Sequence, residues 1–381
     1  MKVLYITVPS FFDLDVSLIR ELSSFIDIHV LLITSPQSKK SSAFSIEKLS
    51  PICGVFSAKE YEGMKKYKDV IDFSRWSIAN NTDNSIHSCI NLSRKIKKYV
   101  KKNNFDLIHM TTACKTALFM IPFISRFPHT LLTVHDPIAH EKLSWIENIV
   151  RRKIFYWANK NILLLSKSLL KPFVKEYNIK EDRVYFSSLS VYDILTRFES
   201  RKNIYGDYIL FFGRIERYKG VELLINAYKK TNLSTKGIKL VIAGKGNISR
   251  SEAELTDDII FINRFIENDE LANLIQHCKY VVLPYLSATQ SGCVMSAFAF
   301  NKPVLATNVG DFPFTIQNGK NGMICNANDL DSLRDAMDQM EMIDCLVLEQ
   351  NIKEMYQQNG SRSWNCIAKS MVDTYKSIVC R

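Results

Sequence analysis

Eleven short apolar runs punctuate the chain, and between them lie longer segments with helical spacing. In the first half the runs are VLYITV (Val3 to Val8), IDIHVLLI (Ile26 to Ile33), FDLIHM (Phe105 to Met110), TLLTVH (Thr130 to His135), NILLLS (Asn161 to Ser166) and RVYFSS (Arg183 to Ser188). Segments such as DVSLIRELSSF and SCINLSRKIKKYVKK separate them. Continuous apolar strands alternating with amphipathic helices describe a parallel sheet covered on both faces. The pattern restarts with YILFFG (Tyr208 to Gly213), KLVIAG (Lys239 to Gly244), DIIFIN (Asp258 to Asn263), YVVLPY (Tyr280 to Tyr285) and PVLATN (Pro303 to Asn308). The expectation is α/β, with two doubly wound, Rossmann-like domains and a boundary near residues 189 to 206.

Length agrees, since 381 residues exceed one core at roughly 150 residues per domain. The domains are read as 1–190, 206–360 and a closing helix within 361–381. In that helix Trp364, Ile367, Met371, Tyr375 and Ile378 share one face. No apolar run reaches the ~20 residues of a spanning helix. The uncharged stretch PYLSATQSGCVMSAFAFN (Pro284 to Asn301) is broken by Gln290, Ser291 and Gly292. The opening MKVLYITVPSFFDLDV reads as a first strand and not as an export signal, because Asp13 and Asp15 follow at once. Nine cysteines without a C-x-x-C pair argue against a disulfide framework and a structural zinc site, and fit a reducing cytoplasm.

Charge is unevenly placed. Residues 1 to 190 hold 28 Lys+Arg and 17 Asp+Glu, a balance of +11, whereas residues 191 to 381 hold 22 of each. The excess clusters in SRKIKKYVKKNN (Ser93 to Asn104), KKYK (Lys65 to Lys68) and RRK (Arg151 to Lys153). Such a half attracts nucleic acid, an anionic membrane surface or a polyanionic substrate, although a solvated helix face accounts equally for any single cluster. Aromatics interleaved with the basic runs are few, so nucleic acid is the weakest of the three.

Ligands of open α/β sheets sit beyond the carboxyl ends of strands. After YILFFG, Gly213 leads into Arg214 and, five residues on, Lys219, a forked cation and a point charge suited to a diphosphate. KLVIAGKG offers Gly244 at a tight turn. YVVLPY leads to Ser291 as an N-cap with the amides of Gly292 and Cys293 behind it, a receptive anion site free of carboxylates. Gly310 follows a further strand at the same edge, and Asp329 and Asp331 read as helix capping and not as a metal motif. In the first half TLLTVH ends in His135 and Asp136, with His140 and Glu141 behind them, and FDLIHM ends in His109. Asp13 and Asp15, in F-D-L-D after the first strand, either touch an acceptor or cap a helix starting near Val16, and capping is the better reading; Asp13 is the acceptor candidate of the two.

Taken together, FFGRIERYKG, LVIAGKG, FINRFIENDELANLIQHCKYVVLPY, SATQSG and NKPVLATNVGDFPFTIQNGKNG resemble the nucleotide-sugar half of retaining family-four glycosyltransferases of the GT-B fold. The resemblance is close over residues 206 to 340 and looser through LTVHD in the first half. It implies two domains facing across a cleft, with Arg214 and Lys219 on the donor diphosphate, assisted by the amides of Ser291, Gly292 and Cys293. Gln290 and Ser296 would complete the donor site, Arg264 and Phe265 would lie near the nucleobase, and His135 would face the reacting sugar. Asp13, His109 and Asp136 are the acceptor candidates. No metal or other cofactor is implied, because fixed cations take the role of one.

One departure stands out. The family carries two glutamates seven residues apart, and alignment through SAFAFNKPV puts Ala288 and Ser296 in their places. Members from bacterial surface-polysaccharide assembly share the A-T-Q-S-G variant, which implies an altered but active site. The expectation is a retaining hexosyltransferase of O-antigen, capsule or exopolysaccharide synthesis. It would take a lipid-linked saccharide acceptor and lie peripherally on the inner face of the cytoplasmic membrane. The alternative is a non-catalytic nucleotide-binding or partner subunit.

Overall fold

The computed structural model describes residues 1–39, 41, 44–46, 48–68, 71–135, 137, 145–198, 202–248, 256–288, 291–357 and 359–381. Its elements form two compact units, Met1–Leu189 with Trp364–Arg381, and Ser190–Ser363.

The first unit contains β1 (Lys2–Thr7), α1 (Phe12–Leu22), β2 (Asp27–Thr34), β3 (Gly54–Ser57), β4 (Trp76–Asn80), α2 (Ile86–Asn103), β5 (Leu107–Met110), α3 (Lys115–Ile124), β6 (Thr130–Val134), α4 (Trp145–Ala158), β7 (Asn161–Leu164), α5 (Leu170–Tyr177) and β8 (Val184–Phe186). Its sheet runs β3-β4-β2-β1-β5-β6-β7-β8, parallel except for the edge strand β3. The central strands are buried on both faces, which is why they read as unbroken apolar runs. The long helix α2 is amphipathic for a local reason: Leu92, Ile96 and Val100 recur every four residues and are buried. Ser85 caps its start, accepting from the Ser88 amide at 3.1 Å, and Asn104 ends it in the left-handed region at φ 49°.

The second unit contains β9 (Tyr208–Phe212), α6 (Val221–Tyr228), β10 (Lys239–Ala243), β11 (Ile259–Ile262), α7 (Asn268–His277), β12 (Val281–Leu283), α8 (Gly292–Ala299), β13 (Val304–Thr307), α9 (Phe312–Thr315), β14 (Gly322–Cys325), α10 (Leu330–Met342) and α11 (Cys345–Tyr356). Its six strands are all parallel in the order β11-β10-β9-β12-β13-β14. The chain builds outward from β9 to one side, then returns to build from β12 to the other. This 3-2-1-4-5-6 order leaves a crevice beyond the carboxyl ends of β9 and β12, where ligands of such sheets bind.

The last helix, α12 (Trp364–Val379), packs on α1 in the first unit, and all five residues of its expected apolar face are buried. Asn365 donates to Glu21 across that contact at 3.3 Å.

Three strands escaped the sequence reading: β3, β4 and β14. Each is short, and β14 lies in a stretch that reads as turns because of Gly319 and Gly322. None of the nine cysteines is in a disulfide, and no described helix is long and apolar enough to cross a membrane.

Candidate functional site

The crevice of the second sheet is assembled from three strand ends. At the end of β9, Gly213 takes φ 127° and donates to the Ala243 carbonyl at 3.0 Å. Gly244, at the end of β10, presses so closely that a Cβ there would lie 1.8 Å from the Gly213 carbonyl oxygen. Only glycine permits that approach. The chain then passes through a single helical turn, Arg217–Lys219. The turn is tied to the loop after β12 by the Leu286 amide, which donates to the Tyr218 carbonyl at 2.8 Å.

Lys219 lies where these loops converge. Its ammonium sits 3.7 Å from the centre of the Tyr285 ring and 5.1 Å from that of Tyr218, a cation held by two aromatic faces. Burial lowers its pKa below the usual lysine range; nearby Cys293 counteracts this and Arg214 adds to it. Arg214 is exposed and makes a long contact with Glu216, 3.4 Å.

On the other side, Ser291 caps α8 as expected, accepting from the Cys293 amide at 3.3 Å and sharing a hydrogen bond with Tyr285 at 3.2 Å. The Cys293 thiol donates to the Phe212 carbonyl at 3.6 Å, joining the helix start to the end of β9. Gly292 is a glycine for a separate reason: a Cβ would meet the Tyr192 ring at 2.9 Å. The structure thus brings Gly213, Lys219, Gly244, Ser291, Gly292 and Cys293 to one sheet edge, with Arg214 at its rim. A cation beside the capped start of a helix forms an anion-binding cradle. Replacing Ser291 with Ala is expected to cost about 1 kcal/mol of stability through loss of the cap, measured by thermal unfolding.

Four expected positions have surroundings that their sequence context did not suggest. The Arg264 guanidinium forms a fork on Glu270, 2.7 Å to each carboxylate oxygen, in the first turn of α7. Phe265 beside it is exposed. Ser296 is only 6% exposed, one turn into α8 and packed inward, so the structure offers no ligand-facing hydroxyl there. Ala288 is half-exposed. Asp13 is not the cap expected of it; it lies within the first turn of α1, is buried, and accepts from Ser41. His109 is fully buried, with Nδ1 against Tyr375 Oη at 2.6 Å and Nε2 against Thr133 Oγ1 at 2.7 Å. Its imidazole is a core hydrogen-bonding group.

His135 follows β6 and stacks on Phe11, ring centres 3.9 Å apart and planes 14° from parallel. Asp136, His140, Glu141 and Gln290 lie outside the described residues. Asp329 caps α10 through the Ser332 amide at 2.9 Å, and Asp331 pairs with Arg334 at 2.7 Å, as the capping reading expected.

Sequence reasoning missed the aromatic cradle of Tyr218 and Tyr285, although both tyrosines sit beside the quoted motifs in RYKG and LPYL. Asp15, expected to cap α1, is instead a buried carboxylate that accepts from Tyr5 at 2.8 Å, from Thr111 at 3.0 Å and from Thr7. Burial raises the pKa of Asp15 to about 6 against the lowering effect of those three donors.

Residues 206–341 match the family described as Glycosyl transferases group 1. An uncharacterized glycosyltransferase of Methanocaldococcus jannaschii is 27% identical over 56% of this chain and 59% of its own length. An O-antigen chain mannosyltransferase C of Escherichia coli is 23% identical over 65% of this chain and 64% of its own. The chain therefore spans about three fifths of the length of these two relatives. Among solved structures, Anabaena HepE in complex with UDP superposes with a TM-score of 0.69 at 13% identity, covering 99% of this chain and 100% of that one. Residues 206–341 thus match the Glycosyl transferases group 1 family within a chain of two α/β units with the GT-B fold, and these two relatives are named as glycosyltransferases.

Proposed function

We propose that this protein is a hexosyltransferase that moves a sugar from a nucleotide-sugar to a saccharide acceptor with retention of anomeric configuration. The observation that carries the reading is the convergence of Lys219, on its tyrosine faces, with the capped start of α8 at the point where the second sheet changes direction. As the anomeric bond breaks, negative charge gathers on the departing diphosphate. Lys219, Arg214 and the start of α8 at Gly292 stabilise it from fixed positions, without reorganisation. Fixed cations suffice for this step, and no metal is assigned to it.

His135, oriented by Phe11, is the first unit's candidate for contact with the transferred sugar. Phe265 offers an exposed ring to the nucleobase. The UDP held by Anabaena HepE supports a nucleoside diphosphate leaving group. The O-antigen mannosyltransferase among the relatives supports bacterial surface-polysaccharide assembly, O-antigen, capsule or exopolysaccharide, with a lipid-linked acceptor. The +11 balance of residues 1 to 190 supports a peripheral position on the anionic inner face of the cytoplasmic membrane.

A panel of UDP-, GDP- and ADP-sugars tested by thermal shift checks the donor. A cognate donor at a hundredfold excess over Kd is expected to stabilise the protein by about 2.7 kcal/mol. Absence of any shift across the panel, with the protein folded, would count against the reading. The absence of carboxylates at Ala288 and Ser296 favours a second reading, a nucleotide-binding subunit without turnover. Donor binding with no transfer or donor hydrolysis, in wild type and Arg214→Ala alike, would select it.

A further inference from the structure

α2, α3 and α4 each carry the chain in the same direction across the first sheet, α2 from β4 past β2 and β1 to β5, α3 from β5 to β6 and α4 from β6 to β7. Right-handed crossovers therefore set all three on one face, with α3 packed between α2 and α4. Two features of that layer have no use in binding a nucleotide-sugar. α2 presents Arg94, Lys95, Lys97, Lys98, Lys101 and Lys102 to solvent. α4 presents an apolar stripe.

The stripe is Val150, Ile154 and Trp157, exposed at 51%, 40% and 71%. Their spacing of four and three residues places them in one row along the helix, roughly 10 Å long. The inner side of α4 is already filled by buried Phe155, Tyr156 and Ala158, so the outer row is not needed for the core. Trp157 contrasts with Trp76 and Trp364, both 6% exposed. Exposed Arg151 lies on one side of the row and exposed Lys153 on the other, with exposed Lys160 just beyond the helix end. Glu147 is the one acidic residue in the helix sequence. A tryptophan and two branched aliphatics between basic side chains match a bilayer interface: the indole sits at headgroup depth, and the cations reach back to lipid phosphates.

We infer that α4 inserts its Val150–Ile154–Trp157 row into the interface of an anionic membrane, with the α2 cations drawing the same face onto it. This extends the membrane partner proposed above from electrostatic attraction to insertion, and it does not depend on the donor chemistry. Charge attraction alone is screened by salt, whereas insertion of apolar groups is not.

The test uses the full chain with vesicles of phosphatidylglycerol and phosphatidylethanolamine in 0.5 M salt. Wild type is expected to sediment with the vesicles, and Trp157→Glu to bind at least tenfold more weakly, with Trp157→Phe close to wild type. The part of the fluorescence lost in Trp157→Phe should be quenched by brominated acyl chains. Trp157 is exposed, so circular dichroism should be the same for all three proteins. Binding abolished by 0.5 M salt, or an indole untouched by the quencher, would overturn insertion and leave the α2 charges as the whole attraction. A dimer in solution that Trp157→Glu dissociates would also overturn it, assigning the row to a second copy. Donor hydrolysis by Trp157→Glu at the wild-type rate would show that loss of binding is not loss of the enzyme.

Discussion

Lys219→Met is expected to lower kcat/KM for sugar transfer by about 10²- to 10³-fold, the effect of removing one preorganised group that stabilises developing negative charge. Methionine keeps the unbranched stem and can lie against the Tyr285 ring, so the substitution removes the charge and little of the packing. The thermal midpoint should move by only a few degrees, which separates lost chemistry from lost fold. The loss should fall mainly on kcat, because the charge on the diphosphate grows as the bond breaks. A rise in KM with kcat unchanged would reduce Lys219 to a ground-state anchor. Arg214→Ala should cost less than Lys219→Met, since Arg214 is exposed at the rim and solvent-screened while Lys219 is half-buried. Burial also lowers the Lys219 pKa, so the ammonium is lost as pH rises through a value below that of an ordinary lysine. The alkaline limb of the rate profile should begin correspondingly early, and Lys219→Met should lack it.

The second large effect is on stability in acid. Burial lowers the His109 pKa to about 3, against about 6.5 in an unfolded chain. The unfolded state therefore binds a proton that the folded state refuses, and stability is lost as pH falls from 6.5 toward 3, on the order of 4–5 kcal/mol in all. Asp15 acts in the opposite sense. Its folded pKa is about 6, above the unfolded value of about 3.9, so the folded state holds a proton that the unfolded state has released. That adds stability as pH falls from 6 to 4, on the order of 3 kcal/mol. Between pH 6 and 4 the two contributions nearly cancel, and below pH 4 only the loss at His109 remains. His109→Gln should unmask Asp15: starting from lower stability at pH 7, the variant should gain stability between pH 6 and 4, where wild type stays flat. Urea unfolding at pH 4, 5, 6 and 7 reads this directly. Parallel curves for the two proteins would show that His109 is not held neutral.

His109 and His135 show where sequence stops informing. Both follow an apolar run, at FDLIHM and TLLTVH, and nothing local tells them apart. His109 is committed by Tyr375 and Thr133, and Tyr375 lies 266 residues away in sequence, a pairing that exists only once α12 has returned to the first sheet. Arg264 is similar in kind: its fork on Glu270 depends on the turn between β11 and α7, not on the six-residue separation. By contrast, Gly213, Lys219, Gly244 and Ser291 were legible because each closes a strand or opens a helix. In a parallel sheet every such junction falls on the same edge, so chain order alone gathers them. Strands buried on both faces were legible for the same reason, as continuous apolar runs. β3 and β14 were not, because an edge position or a neighbouring glycine removes that continuity.

The return of α12 to α1 also sets an order on biosynthesis. A polypeptide leaves the ribosome amino end first, and domains generally fold as they emerge. Here the sheet of the first unit is complete in sequence by Phe186, yet the helix that covers α1 begins only at Trp364, after the whole second unit. Until those last residues are made, the face of α1 against which α12 packs has no cover, and His109 lacks one of its two partners, Tyr375. The first unit to be synthesised is thus the last to be finished, and a nascent chain stalled anywhere in residues 190–363 exposes its apolar surface for the whole of the delay.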